Sequence, residues 1–237
     1  MQKDQIAEID CVRIESGSRS VRKERIAIES SLTLLLDGKK AASFVYSPGF
    51  ERELVFGHLI SSGMIKDIVD VRDFEISDSI CRISQTQSTN KHKEEADKNL
   101  NQVDFKTVVD IRANLLKIQK NHRATRGFHG AIIWENSSGK WFACEDVGRH
   151  NAVDKVIGHF AVSNLSLGSS ILLLSGRLTE QIVNKCMNAG IPVVASMTVA
   201  TNRGIEIAKE SNMTLVGALT EDACWLYNEG SVSISFA

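Results

Sequence analysis

Three short runs near the carboxyl end, "SILLLS" (170–175), "IPVVAS" (191–196) and "MTLVGAL" (213–219), restrict the folds open to this chain more than any other feature. Each is apolar at consecutive rather than alternate positions, which predicts strands buried on both faces. Stretches with helical spacing lie between them, "LTEQIVNKCMNAG" and "NRGIEIAKES". Ahead of them, "HNAVDKVIGHFA" sets Ala152, Val153, Val156, Ile157, Phe160 and Ala161 on one stripe. Short strands alternating with helices predict a parallel sheet covered on both faces, an α/β fold. "GAIIWE" and "KWFACED", on either side of Asn136–Gly139, predict a hairpin.

The first half reads differently. Residues 1–25 are polar, with Arg19, Arg22, Lys23 and Arg25 clustered, and read as a loosely ordered lead-in. "LTLLLDGKKAASFVYS" (32–47) predicts two strands around Asp37-Gly38. Ser47-Pro48 reads as a helix start, with Phe50, Leu54, Gly57 and His58 along one face and a stop near Gly63. Residues 73–84 read as a strand and 85–102 as a long polar loop. A helix follows, with Phe105, Val108, Val109, Leu115 and Leu116 at helical spacing. The expected organisation is an N-terminal α+β region, 1–124, and a C-terminal α/β domain, 125–237.

A net charge of −1 gives no electrostatic case for nucleic acid as main partner. No apolar run reaches membrane-spanning length and no signal-peptide core is present, so a cytoplasmic protein without a membrane partner is expected. Cys11, Cys81, Cys144, Cys186 and Cys224 are scattered, none at the two-residue gap of a zinc or dithiol site, and read as reduced packing residues.

In open α/β sheets, ligands bind beyond the carboxyl ends of the strands. Those ends here carry Glu145 to His150, Ser175-Gly176-Arg177, Ser196-Met197-Thr198 and Leu219 to Asp222. Arg149 and Arg177 would each offer two parallel hydrogen bonds to a phosphate. Gly148 and Gly176 would let a ligand reach the backbone at a helix start. His150, Asn151 and Asp154 would order the loop, and His129 would face the same rim. Taken singly, each arginine reads more often as a surface or ion-pair residue than as a ligand contact, and His150 with Asp154 reads equally as a structural pair one helical turn apart. His92 and His122 read as solvated. No P-loop, G-x-G-x-x-G or H-E-x-x-H occurs.

"CEDVGRHNAVDKVIG" (144–158) resembles the most distinctive block of the FdhD family, the sulfur-carrier accessory proteins of formate dehydrogenase. "SPGFERELVFGHLISSGMI" (47–65), "TRGFHGA" (125–131), "SGRLTEQIVNKCMNAGIPVVAS" (175–196) and "MTLVGAL" are similar to further family segments, in the same order. The resemblance implies a homodimer whose larger domain is a three-layer α/β/α unit like that of cytidine deaminase. It implies that sulfur is relayed from a cysteine desulfurase to a molybdenum cofactor carrying two molybdopterin guanine dinucleotides, bound as client for formate dehydrogenase. No tightly held metal is implied. By the same resemblance the cofactor site includes Ala218, Leu219, Thr220, Glu221, Asp222 and Ala223, which here lack the usual aromatic and basic character. The family's Cys-Gly-x-Cys-Gly loop has no counterpart in residues 81–124, and Cys81 does not inherit its role. Two readings stand: a sulfurtransferase, or a cofactor-binding chaperone without the persulfide loop. A zinc nucleoside deaminase would need a Pro-Cys-x-x-Cys pair, which is missing.

Overall fold

All five residues of β10 (Ser170–Leu174) and all four of β11 (Val193–Ser196) are buried, as their unbroken apolar runs require. The computed structural model describes residues 4–86 and 100–236. In it, these strands and β12 (Thr214–Gly217) pair in parallel. The sheet is nevertheless mixed rather than parallel throughout. Strand β8 (His129–Glu135) runs antiparallel to β10 and to β9 (Trp141–Asp146), and β13 (Trp225–Asn228) antiparallel to β12. The order is β13-β12-β11-β10-β8-β9. The predicted 129–146 hairpin thus enters the sheet itself, because its turn reverses the chain between adjacent strands.

Two antiparallel steps restore direction, so β9 runs the same way as β10. The carboxyl ends of β9, β10, β11 and β12 therefore share one edge with the amino end of β8. Helices α4 (Arg149–Val162), α5 (Glu180–Asn188) and α6 (Asn202–Glu210) cover the face presenting Ala131, Ile133, Leu172, Leu174, Val194 and Leu215. Helix α2 (Phe105–Ile118) covers the other, with Val108, Ile111 and Leu115 against Ile132, Ile171 and Leu173. Strands β7 (Gln102–Asp104) and β14 (Ser233–Ser235) pair in parallel, and Val103 and Ile234 belong to the same second cluster.

The predicted turn at Asp37-Gly38 joins β3 (Ser30–Leu36) to β4 (Lys39–Tyr46). Helix α1 (Glu51–Ser61) then crosses α4 at backbone contact. A Cβ on Gly57 would lie 1.7 Å from the Asp154 carbonyl oxygen, and one on Gly158 1.9 Å from that of Glu53, so only glycine fits either place. This crossing unites Leu32, Leu34, Leu54 and Val153 in one core that draws on both sides of residue 124.

Three further expectations change. Residues 1–25 are no loose lead-in: β1 (Ile6–Glu15) and β2 (Ser18–Ala27) form a long antiparallel hairpin. Most of its residues are exposed, Ile14 at 68% and Val21 at 72%, so no buried face marked it in the sequence. The single strand expected over 73–84 is β5 (Val71–Ser77) turning into β6 (Ile80–Gln85) through Asp78 and Ser79, both at positive φ without a glycine. Ser47 does not cap α1, whose N-cap is Phe50 in the left-handed region; Ser47 is drawn instead to the loop after β9. Residues 87–99, most of the predicted polar loop and His92, lie outside the described residues.

Candidate functional site

The loop from β9 into α4 is built on a carboxylate. Asp146 and Lys155 are both fully buried, with Nζ 2.7 Å from Oδ2. Asp146 also accepts from the Ser47 amide (3.1 Å), the Gly148 amide (2.9 Å) and Asn151 Nδ2 (3.0 Å). Lys155 donates to the Ser47 carbonyl, and the Ser47 hydroxyl accepts from the Val147 amide. Every strong donor and acceptor here is used, so the pair is a lock for the loop. Buried ions are tolerated when they are paired in this way.

The neighbours that follow it are not used up. Arg149 Nε and His150 Nε2 are buried without a hydrogen-bond partner among the described residues. A Cβ on Gly176 would meet Arg149 Cδ at 3.2 Å, Arg149 Cβ at 3.3 Å and His129 Nδ1 at 3.7 Å. Arg149, His129 and the turn after β10 therefore touch, although 47 positions separate Gly176 from His129 (176 − 129). That turn is fixed: the Ser175 hydroxyl accepts from the Gly130 amide, and Ser196 donates to the Gly176 carbonyl at 2.7 Å. Arg177 stands on the same turn, exposed.

Burial, then the Arg149 charge, lowers the pKa of both His129 and His150. His122, read as solvated, is exposed but donates from Nδ1 to the Phe128 carbonyl (2.7 Å) and adds to the positive field on His129. Glu145, beside this group, is spent on the Asn121 and His122 amides at the start of α3 (Lys120–Thr125). The rim thus gathers partly buried cationic and imidazole donors whose nearby carboxylates are already bonded. Donors left open in this way are the kind of group an anion pairs with.

The structural pair read between Asp154 and His150 is not what Asp154 forms. Asp154 accepts from Ser61 Oγ at 2.7 Å and from Lys185 Nζ at 2.8 Å, with His58 Nδ1 3.5 Å away. Burial would raise its pKa, but the His58 contact and the Lys185 charge outweigh burial and lower it. This cluster lines a cavity of about 440 Å³ that reaches the rim through His150 and Asn151.

In the segment after β12, Leu219 is committed to the core and offers a ligand only its backbone. Thr220 to Ala223 close a tight turn, the Thr220 hydroxyl bonding Asp222 and Ala223. The main-chain amide of Ala218 donates to Thr198 and that of Leu219 to Ser196, tying the segment to the end of β11. Arg112, from α2, arrives beside it with a buried Nε that has no partner among the described residues. The sequence reading missed Arg112 because the helix was recognised by its apolar stripe alone. It also left His58 and Lys185 unassigned, since their partner Asp154 lies on another helix.

The model of the FdhD/NarQ family matches residues 27–105 and 79–232. Protein FdhD of Methanocaldococcus jannaschii is 30% identical over 208 residues, covering 88% of this chain and 90% of its own. Sulfur carrier protein FdhD of Sulfolobus acidocaldarius is 30% identical over 239 residues, covering 90% and 92%. A crystal structure from Desulfotalea psychrophila, of a protein named as a formate dehydrogenase accessory protein, superposes with a TM-score of 0.83 at 28% identity, covering 95% of this chain and 97% of that one.

Proposed function

The chain belongs to the FdhD/NarQ family, and from that premise we propose that it is a formate dehydrogenase accessory protein that binds a guanine-dinucleotide molybdenum cofactor by its phosphates. The observation that carries this reading is the meeting of Arg149 and His129 at Gly176, with His150 close enough to feel both charges and with Arg149 Nε buried and unpartnered among the described residues. A buried polar group without a partner costs about 1–3 kcal/mol, and an anion removes that cost. Arg149 and Arg177 would hold phosphate oxygens, Gly148 and Gly176 would admit them to the backbone, and His129 and His150 would donate at the edges. Ser175, Asn151 and Asp154 support the walls. Ala218 to Ala223 would contribute backbone groups and exposed side chains along the far side. The cofactor is cargo; its metal chemistry belongs to the enzyme that receives it.

Sulfur relay receives less support from the thiols. Burial pushes Cys81 up to about 11 and Cys144 and Cys186 up to about 12, which leaves no thiolate at neutral pH to accept sulfane sulfur. Cys11 and Cys224 are only partly buried, and burial raises Cys224 as well. Among our two readings, the cofactor-binding chaperone without a persulfide loop fits this inventory better. Incubation with a cysteine desulfurase, cysteine and labelled sulfur separates them: label on Cys11 or Cys224 restores the relay.

In this reading the partners are formate dehydrogenase, the desulfurase if relay occurs, and a second copy of the chain, in the cytoplasm. The exposed Val12, Ile14 and Val21 of the hairpin are a surface that dimerisation would cover. Among the described residues no helix is long and apolar enough to cross a membrane. A central sheet with α4 to α6 on one face and α2 on the other supports the cytidine-deaminase-like class.

Thermal unfolding with GDP, GTP, ATP or no nucleotide tests the site. GDP at 100 times its dissociation constant should add about 2.7 kcal/mol. No shift with any of the three would overturn the proposal.

A further inference from the structure

Arg112 and Glu221 meet where α2 passes the segment after β12. Arg112 Nη1 stands 4.0 Å from Glu221 Oε1, beyond hydrogen-bond reach. The Arg112 side chain is 19% exposed and that of Glu221 87%. Arg112 Nε, with under 1 Å² exposed, has no partner among the described residues. One cation is therefore largely withdrawn from water while its nearest carboxylate remains almost wholly in it.

The surroundings explain why Arg112 cannot leave. Ile111 and Leu115, on the same helix, are fully buried against the sheet, and Leu219 joins their cluster. The turn bearing Glu221 is fixed by its own Thr220 bonds and by Ser196 and Thr198 at the end of β11. Asp222, the other acid of the turn, is occupied by Thr220. Residues 218–223 carry two acids and no base, so any positive charge on this side of the rim must come from another element.

We propose that Arg112 is a further anion-binding residue of the rim, loosely shielded by Glu221 until a phosphate group of the ligand displaces that carboxylate. This rests on the reading of the rim as a phosphate site and adds a contact from the opposite face of the sheet to Arg149. The ligand class is then a pyrophosphate-bearing molecule rather than a monophosphate, because Arg112, on the helix across the sheet from Arg149, calls for an anionic group of its own. Glu221 weakens binding by competing for Arg112, which sets the affinity low enough for cargo to be released.

Calorimetry with GDP at 0.15 M salt, on the full chain and on R112M, E221Q, R112M/E221Q and R149M, tests the proposal. R112M should weaken GDP binding about ten-fold, the worth of one charge-assisted hydrogen bond. E221Q should tighten it about three-fold, and that gain should vanish in R112M/E221Q. A general charge effect of the exposed Glu221 would persist in the double variant, and such persistence overturns the proposal. So does unchanged binding in E221Q, a surface change that does not endanger folding. If R112M and E221Q leave binding unchanged while R149M loses it, Arg112 is excluded and the phosphate rim stands. If R149M is also unchanged, the rim reading has failed.

Discussion

Two pairs of polar residues lie within ten positions at the start of α4, and they are treated in opposite ways. Asp146 and Lys155 are fully buried and bonded to each other, to both backbone groups of Ser47, to the Gly148 amide and to Asn151. Arg149 and His150 are partly buried, each with a nitrogen that nothing in the described chain bonds. Burial alone therefore does not distinguish structure from site. Completion of the hydrogen-bond set does, because a closed pair gains nothing from a ligand and an open donor gains its missing partner.

The closed pair should give the largest effect. Lys155→Met strands the Asp146 carboxylate in the core, and losing one partner of a buried ion pair costs about 3–5 kcal/mol. Urea unfolding should show a much lower midpoint with GDP absent. An unchanged midpoint would mean that the lock contributes nothing and that the contrast with Arg149 is empty. Arg149→Met should behave in reverse. Stability should hold or rise slightly, since an unmet donor is removed, while GDP affinity falls about ten- to a hundred-fold. Loss of stability and binding together would make Arg149 a second lock.

Much of this contrast was legible beforehand, and the exceptions have physical causes. The runs 170–175, 191–196 and 213–219 announced buried strands, and the rule of carboxyl-end loops placed Gly148 and Gly176 on one edge, where they lie; His129 joins them because β8 runs antiparallel to both neighbours. What the sequence could not tell was partnership over distance. His150 and Asp154 are one helical turn apart, yet Asp154 pairs with Ser61 and Lys185, which lie 93 and 31 positions away. Lys155 drew no role from the sequence because Ser47, 108 positions earlier, supplies its carbonyl partner. The β1–β2 hairpin escaped because its exposed strands carry neither a one-sided apolar alternation nor an unbroken apolar run.

Gly176→Ala tests the same contrast more gently. The added Cβ falls 3.2–3.3 Å from Arg149 carbons, so the arginine must shift by a few tenths of an ångström while the Asp146 pair is untouched. An off-rotamer side chain costs about 0.5–1.5 kcal/mol, so GDP binding should weaken a few-fold with the urea midpoint nearly constant. An equal loss from the midpoint would place the strain in the fold rather than in the site.

The smallest effect concerns protons and separates the regions by sign. His129 and His150 have pKa values below the ordinary 6.5, through burial and the Arg149 charge. The unfolded chain therefore takes up protons first, so the free protein is most stable above about pH 6.5 and loses stability as the pH falls below it. A bound anion favours the protonated imidazoles and raises their pKa, so binding takes up protons and tightens as the pH falls. Sulfate is the suitable probe, because its charge is constant from pH 8 to 6. Over that range the melting temperature without sulfate should drop slightly while the increment from sulfate grows, by about three-fold in affinity if one histidine is coupled. In Arg149→Met both histidines lose their main charged neighbour, so their pKa values move up and the coupling shifts to higher pH. A sulfate increment that stays flat from pH 8 to 6 would remove His129 and His150 from the anion site and leave Arg149 to hold it without them.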